Sequence, residues 1–189
     1  MTLPETPLVP AVDLVGERIS MRPCHVAQAS AHCAAVNESI ETLGPWMAWS
    51  HAEYEEAESR AWLASCEAAW ASGEAYEFAI FDADERFAGG CGLNQFNAVH
   101  NFANLGYWVR RSRQGQGLAV EAVGLLARFG FETLGLTRIE IVAAAANAPS
   151  RRVAEKAGAA FECIARNRLL VRGTAIAAAV YALTPDAHP

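Results

Sequence analysis

The apolar positions of this chain change period several times, and each change marks an element. Residues 16–23, GERISMRP, alternate with period two and predict a first strand. Residues 25–39, HVAQASAHCAAVNES, carry an apolar helical face. A tryptophan-rich loop, IETLGPWMAWS, follows and is broken by Gly44 and Pro45. Ser50 and Glu53 form an S-x-x-E box, with Trp49 and Tyr54 placed as a hydrophobic staple, so a second helix is expected to start at Ser50 and to close at Gly73. YEFAIFD, FAGGCGLNQF and FANLGYWV, separated by ADER and NAVHN, read as three hairpin-connected strands. Leu118, Ala122, Leu125, Leu126 and Phe129 recur at helical spacing. Then come a strand (TRIEIVAA), a short helix (APSRRVAEKAG) and closing strands in AAFECIA, NRLLVR and TAIAAAVYAL.

The resulting order is β-α-α-β-β-β-α-β-α-β-β. It predicts an α/β (α+β mixed) domain: a central, mixed, mostly antiparallel sheet of about seven strands, flanked by helices. The 189 residues suffice for one such domain, taken as residues 15–184 behind a loose arm at 1–14.

Composition narrows the partners. A net charge of −6 argues against a general nucleic-acid binder. The longest apolar stretch, AIAAAVYAL, is too short to span a bilayer, and the first residues have no basic region of the signal-peptide kind, so no membrane partner is expected. Five widely spaced cysteines without metal-ligand spacing read as reduced, cytoplasmic thiols, and no metal is expected.

The most informative stretch is RRSRQGQGLA, residues 110–119. A nucleotide P-loop fails here, because no Lys-Ser or Lys-Thr follows the glycines. The dinucleotide fingerprint fails too, because Val120 stands where its third glycine belongs. What fits is a short loop between a strand and a helix, with Gln114, Gly115, Gln116, Gly117, Leu118 and Ala119 presenting backbone N–H groups to a pyrophosphate. The helix N-terminus adds its positive dipole end. Arg110, Arg111 and Arg113 stand upstream as charge for the rim.

With the strand LGYWV before that loop, LTRIEIVA after it, then Asn147 and EKAG, the chain resembles the acetyl-CoA-binding half of the GCN5-related N-acetyltransferases. GPWMAWS and the spacing Asn147, Ser150, Gly158, Glu162 look like the RimJ/RimL ribosomal-protein branch. The resemblance implies acetyl-CoA as co-substrate, held along residues 109–119 and near Asn147 and Ser150. It implies a splayed strand pair that admits pantetheine, and a main-chain N–H near Val109 polarising the thioester carbonyl. It also implies direct attack by an amine, and a possible homodimer.

Many family members carry a tyrosine seven residues after the asparagine as the acid toward the leaving sulfur; here that position is Ala154. Ser150 is the branch's serine, either the acid or merely a polar residue of a helix start capped by Asn147. Glu162 matches the branch's acidic residue: a base, an ammonium contact, or an exposed strand residue. Trp46, Trp49, His51, His100 and Tyr107 are placed on the acceptor side. The expected acceptor is the N-terminal α-amine of a ribosomal or other protein. A small amine, or a non-catalytic acyl-CoA-binding role, stays open beside it.

Overall fold

The hairpins close into one eight-stranded sheet in a computed structural model that describes residues 9–185. Its elements are β1 (Leu14–Val15), β2 (Ile19–Pro23), α1 (Ala29–Leu43), α2 (Glu56–Ser72), β3 (Tyr76–Asp82), β4 (Phe87–Asn97) and β5 (Phe102–Val109). Then follow α3 (Leu118–Arg128), β6 (Arg138–Ala144), α4 (Ala148–Lys156), β7 (Ala160–Val171) and β8 (Thr174–Leu183). The spatial order is β1-β2-β3-β4-β5-β6-β8-β7, and every pairing is antiparallel except β5 with β6.

Period-two patterning splits the apolar residues between two layers. Tyr76, Phe78, Ile80, Leu93 and Leu105 point to one face, where Leu118, Ala122, Leu126 and Ala154 of α3 and α4 cover them. Ala79 and Trp108 point to the other, packed with Ala35, Val36, Leu63 and Cys66 of α1 and α2.

Two expectations are corrected. The arm is not loose over its described part: Leu14 pairs with Met21, and the Val9 carbonyl accepts from Trp70 Nε1 at 3.0 Å. Residues 1–8 lie outside the described residues. The second helix starts at Glu56 rather than after Ser50, because Glu55 and Glu58 make the capping box: Glu55 N–H donates to Glu58 Oε1 at 2.9 Å. Ser50 is buried instead, and Gly73 closes the helix with φ of 73°.

Candidate functional site

The site begins with a pairing that stops. β5 and β6 are in register only over Phe102–Asn104 and Arg138–Glu140; beyond Asn104 they diverge. From there β6 keeps its other edge on β8. β5 keeps its other edge on β4, where Arg110 N–H donates to Ala88 O at 2.8 Å. Successive N–H groups of a strand point to opposite edges, so those of Val109 and Tyr107 face the opening. A gap lined by unpaired backbone can take an extended amide chain as a further strand.

The loop after β5 stands at the mouth of this gap, and α1 holds it there. Ser112 N–H donates to Glu38 Oε1 at 2.7 Å, Arg111 N–H to Ser39 Oγ at 2.9 Å, and Gln114 Nε2 to Thr42 Oγ1 at 3.3 Å and Val109 O at 3.0 Å. The loop arginines, expected at the rim, are paired with the scaffold in this structure. Arg110 is bound to Glu38 and to Phe87 O, Arg113 Nε to Asp82 Oδ2 at 2.6 Å, and Arg111 to Glu41 at 2.7 Å. Each guanidinium is turned to a carboxylate of the scaffold, since α1 and β3 present acids where the loop crosses them. The Arg110 hydrogen bond, helped by Ser112, holds Glu38 down to about 2.

What the loop offers outward is backbone. Gly115 and Gly117 have φ of 75° and 83°. The first α3 bond runs from Glu121 N–H to Gly117 O, so the N–H groups of residues 115–120 precede the helical ladder. The cation beside them is Arg18, whose Nη1 donates to Gln116 O at 3.2 Å and lies 2.8 Å from where a Cβ on Gly117 would sit. Sequence reading missed Arg18, because nothing local ties residue 18 to residue 117.

Across the gap, Asn147 caps α4, its Oδ1 accepting from Ser150 N–H at 3.2 Å. Tyr107 reaches from β5 to this turn: its hydroxyl donates to Ser150 O at 2.7 Å and lies 3.2 Å from Ser150 Oγ. Burial pushes the Tyr107 phenol up to about 12, so it stays protonated. Ala154 is fully buried under the sheet.

On the opposite face of β5 lies a cleft of about 430 Å³. Its walls are Trp49, His51, Tyr54, Trp62 and Trp108, and its floor is Glu77, Gly90, Asn94 and Gly106. Trp49 and His51 are brought together in the cleft, whereas Tyr107 borders it only from the β5 backbone and turns its side chain to Ser150 on the other face. Trp46 and His100 are not among the lining residues; His100 sits in the β4–β5 turn at the closed end of the strand pair. Glu162 is also absent from the lining. Its two oxygens accept from Arg138, one at 2.8 Å and the other at 2.5 Å, its side chain is 41% exposed, and Arg138 lowers its pKa. In this structure both of its carboxylate oxygens are thus paired, beside the bulge at Phe161–Cys163, with the first residue of β6. His32, stacked on Trp62 with ring centroids 4.9 Å apart, is lowered by burial to about 4 and is neutral. Among the described residues no group of three His, Cys, Asp or Glu is placed to hold a metal ion, and no helix is long and apolar enough to cross a membrane.

A splayed parallel pair with a helix-opening glycine loop at its mouth defines a class of acyl-CoA-dependent transferases. The acetyltransferase (GNAT) domain family matches residues 18–160, and the chain belongs to that family. The probable N-acetyltransferase YjcK of Bacillus subtilis is 31% identical over 163 residues, 85% of this chain and 90% of that protein. A Vibrio cholerae protein assigned as a ribosomal-protein-serine acetyltransferase superposes with a TM-score of 0.83 at 32% identity, over 92% of this chain and 98% of its own. Mycobacterium smegmatis RimJ, solved with CoA-disulfide, shares the fold at a TM-score of 0.81 and 24% identity, over 95% of this chain and 88% of its own. The chain is an acetyl-CoA-dependent N-acetyltransferase.

Proposed function

We propose that the chain acetylates a protein N-terminal α-amine by direct attack on acetyl-CoA. The observation that carries this reading is the two-sided access to β5: the opening beside Tyr107 and Val109 for the thioester, and the aromatic cleft on the other face for the acceptor. The amine nitrogen bonds to the thioester carbon, the oxyanion takes hydrogen bonds from the Tyr107 or Val109 N–H, the nitrogen gives up its surplus proton to solvent, and the C–S bond breaks as the carbonyl re-forms. Ser150 Oγ, beside the Tyr107 hydroxyl at the α4 end of the gap, gives its proton to the leaving thiolate and regains one from solvent. Pyrophosphate is taken by the N–H groups of residues 115–119 with Arg18 beside them.

The Vibrio cholerae relative, assigned to ribosomal-protein serine, supports a protein acceptor. An α-amine, with a pKa of about 8 against about 10.4 for a lysine side chain, also needs less help to become neutral. The aromatic enclosure of the cleft favours a second reading, a small amine held whole within it. A panel of alaninamide, serinamide, phenylalaninamide, Nα-acetyl-lysinamide and spermidine, with free CoA as the readout, separates the two. α-Amides are expected to exceed the lysine derivative and spermidine in kcat/KM, and the reverse order replaces the first reading by the second. No CoA release with any of them, from enzyme that binds acetyl-CoA, overturns both.

A further inference from the structure

Two carboxylates line the cleft, Glu58 and Glu77; Glu58 is paired with His51, and the reading so far leaves Glu77 without a role. Glu77 lies on β3, half-buried, in a cross-strand row with Gly92 of β4 and Gly106 of β5. Its side chain runs along that row: a Cβ on Gly92 would lie 1.8 Å from Glu77 Oε2, while a Cβ on Gly106 would meet nothing within 4 Å. Two glycines in succession therefore form a trough from the carboxylate to β5. The trough ends beside Tyr107, whose N–H faces the thioester gap.

The carboxylate is oriented but not neutralised. Asn94 Nδ2 donates to Oε1 at 2.9 Å, and Asn104 Nδ2 donates to Asn94 Oδ1 at 2.9 Å, which fixes the amide with its donor toward Glu77. Oε2 is left over the trough. The other acid lining the cleft is engaged, Glu58 with His51 at 3.0 Å and with Glu55 N–H. The groups near Glu77 on its own face are the Cys24 thiol, Glu58 of α2, Tyr54 and His51 of the α1–α2 linker, and neutral His32 of α1, with the Cys91 thiol behind the sheet. None is a cation paired with it. A half-buried carboxylate without a counter-ion is partly desolvated, and a cationic ligand would offset that cost.

We propose that Glu77 receives the acceptor's ammonium group over the Gly92–Gly106 trough and takes its proton before attack. This rests on the amine-acetyltransferase reading above. One N–H bond of the ammonium breaks, Oε2 is protonated, and the neutral amine is left one strand away from the thioester carbon; the proton then passes to solvent through the open cleft. Burial raises the pKa of Glu77, which strengthens it as a base.

The test is Glu77→Gln, which keeps size and shape, checked for folding by circular dichroism and for acetyl-CoA affinity by calorimetry, both expected unchanged. With the best α-amide of the panel, kcat/KM at neutral pH is expected to fall about 100-fold and to recover partly as pH rises toward the amine's own pKa of about 8. Gly92→Ala, which displaces the carboxylate, is expected to show the same loss. A Glu77→Gln profile parallel to wild type and within twofold of it overturns the proposal. If wild type acetylates no amine, the transferase reading fails separately. Alaninamide titrated into the CoA-bound protein, followed by tryptophan fluorescence, then decides the ammonium site: about tenfold weaker binding by Glu77→Gln supports it, and equal binding overturns it.

Discussion

The cofactor side and the acceptor side of this molecule meet at β5 but are built by different means. The cofactor side is a contiguous loop whose working atoms are backbone N–H groups, with side chains used to pin it to α1 and β3. The acceptor side is a set of side chains from β3, β4, β5, α1, α2 and the linker, converging from positions up to 76 residues apart, His32 to Trp108. A backbone site tolerates changes of side chain but not of backbone conformation. A side-chain site tolerates the reverse, and each half should therefore fail under a different kind of substitution.

The largest effect is expected where the backbone is most constrained. Gly117 has φ of 83°, and a Cβ there would come within 2.8 Å of Arg18 Nη1. Gly117→Val adds a β-branched side chain in a conformation such residues avoid, at the start of α3. Calorimetry is expected to show acetyl-CoA binding weakened by about 100-fold, or about 2.7 kcal/mol, with the fold retained. Unchanged affinity would detach the cofactor from this loop.

Ser150→Ala sharpens the boundary between the halves. The cap of α4 is Asn147, and Ser150 contributes its N–H to that cap, which alanine keeps. Its hydroxyl is not used by the cap and contacts the Tyr107 hydroxyl, and kcat is expected to fall by at least about tenfold with little change in melting temperature or acetyl-CoA KM. A normal kcat would pass the proton to water or to Tyr107.

The same contrast explains what could be read beforehand. The loop, Asn147 and Ser150 follow one another along the chain, so local pattern located them, and the strand splay followed from the family resemblance. Arg18 and Glu77 join their sites only through tertiary contacts, Arg18 by hydrogen bonds to Gln116 and Glu121 and Glu77 by sheet pairing, 99 and 29 residues from Gly117 and Gly106 respectively. Helix α2 was misplaced because two capping boxes compete within nine residues, and burial of Ser50 decides for Glu55. The loop arginines looked like phosphate ligands because their partners Glu38, Glu41 and Asp82 lie more than 30 residues upstream.

Those arginine pairs make a weaker, pH-dependent prediction. Glu38 has a folded pKa depressed to about 2, below the ordinary value of about 4.3. Its contribution to stability is therefore complete above the ordinary value and is lost as pH falls through that window. Wild type should melt above Glu38→Gln at pH 6, and the two curves should converge as pH approaches about 2. A constant gap would mean that the carboxylate does not hold the loop through its charge.

The smallest effect is expected at Glu162, the acid that the family resemblance put forward as base. Arg138 lowers its pKa, so at neutral pH it is already ionised, and both oxygens are engaged. Its position on β7 lies beside the paired end of β5 and β6, whereas acetyl transfer belongs to their open end. Glu162→Gln removes a substantially exposed ion pair, worth up to about 1 kcal/mol, and Arg138 keeps Glu140 at 3.0 Å as a partner. Turnover is thus expected to stay within about twofold of wild type, with a parallel pH–rate profile, while Glu77→Gln bends that profile. If instead Glu162→Gln loses rate at neutral pH and recovers toward the acceptor's pKa, the ion pair with Arg138 must open during turnover. The acceptor side would then extend across β6 to β7.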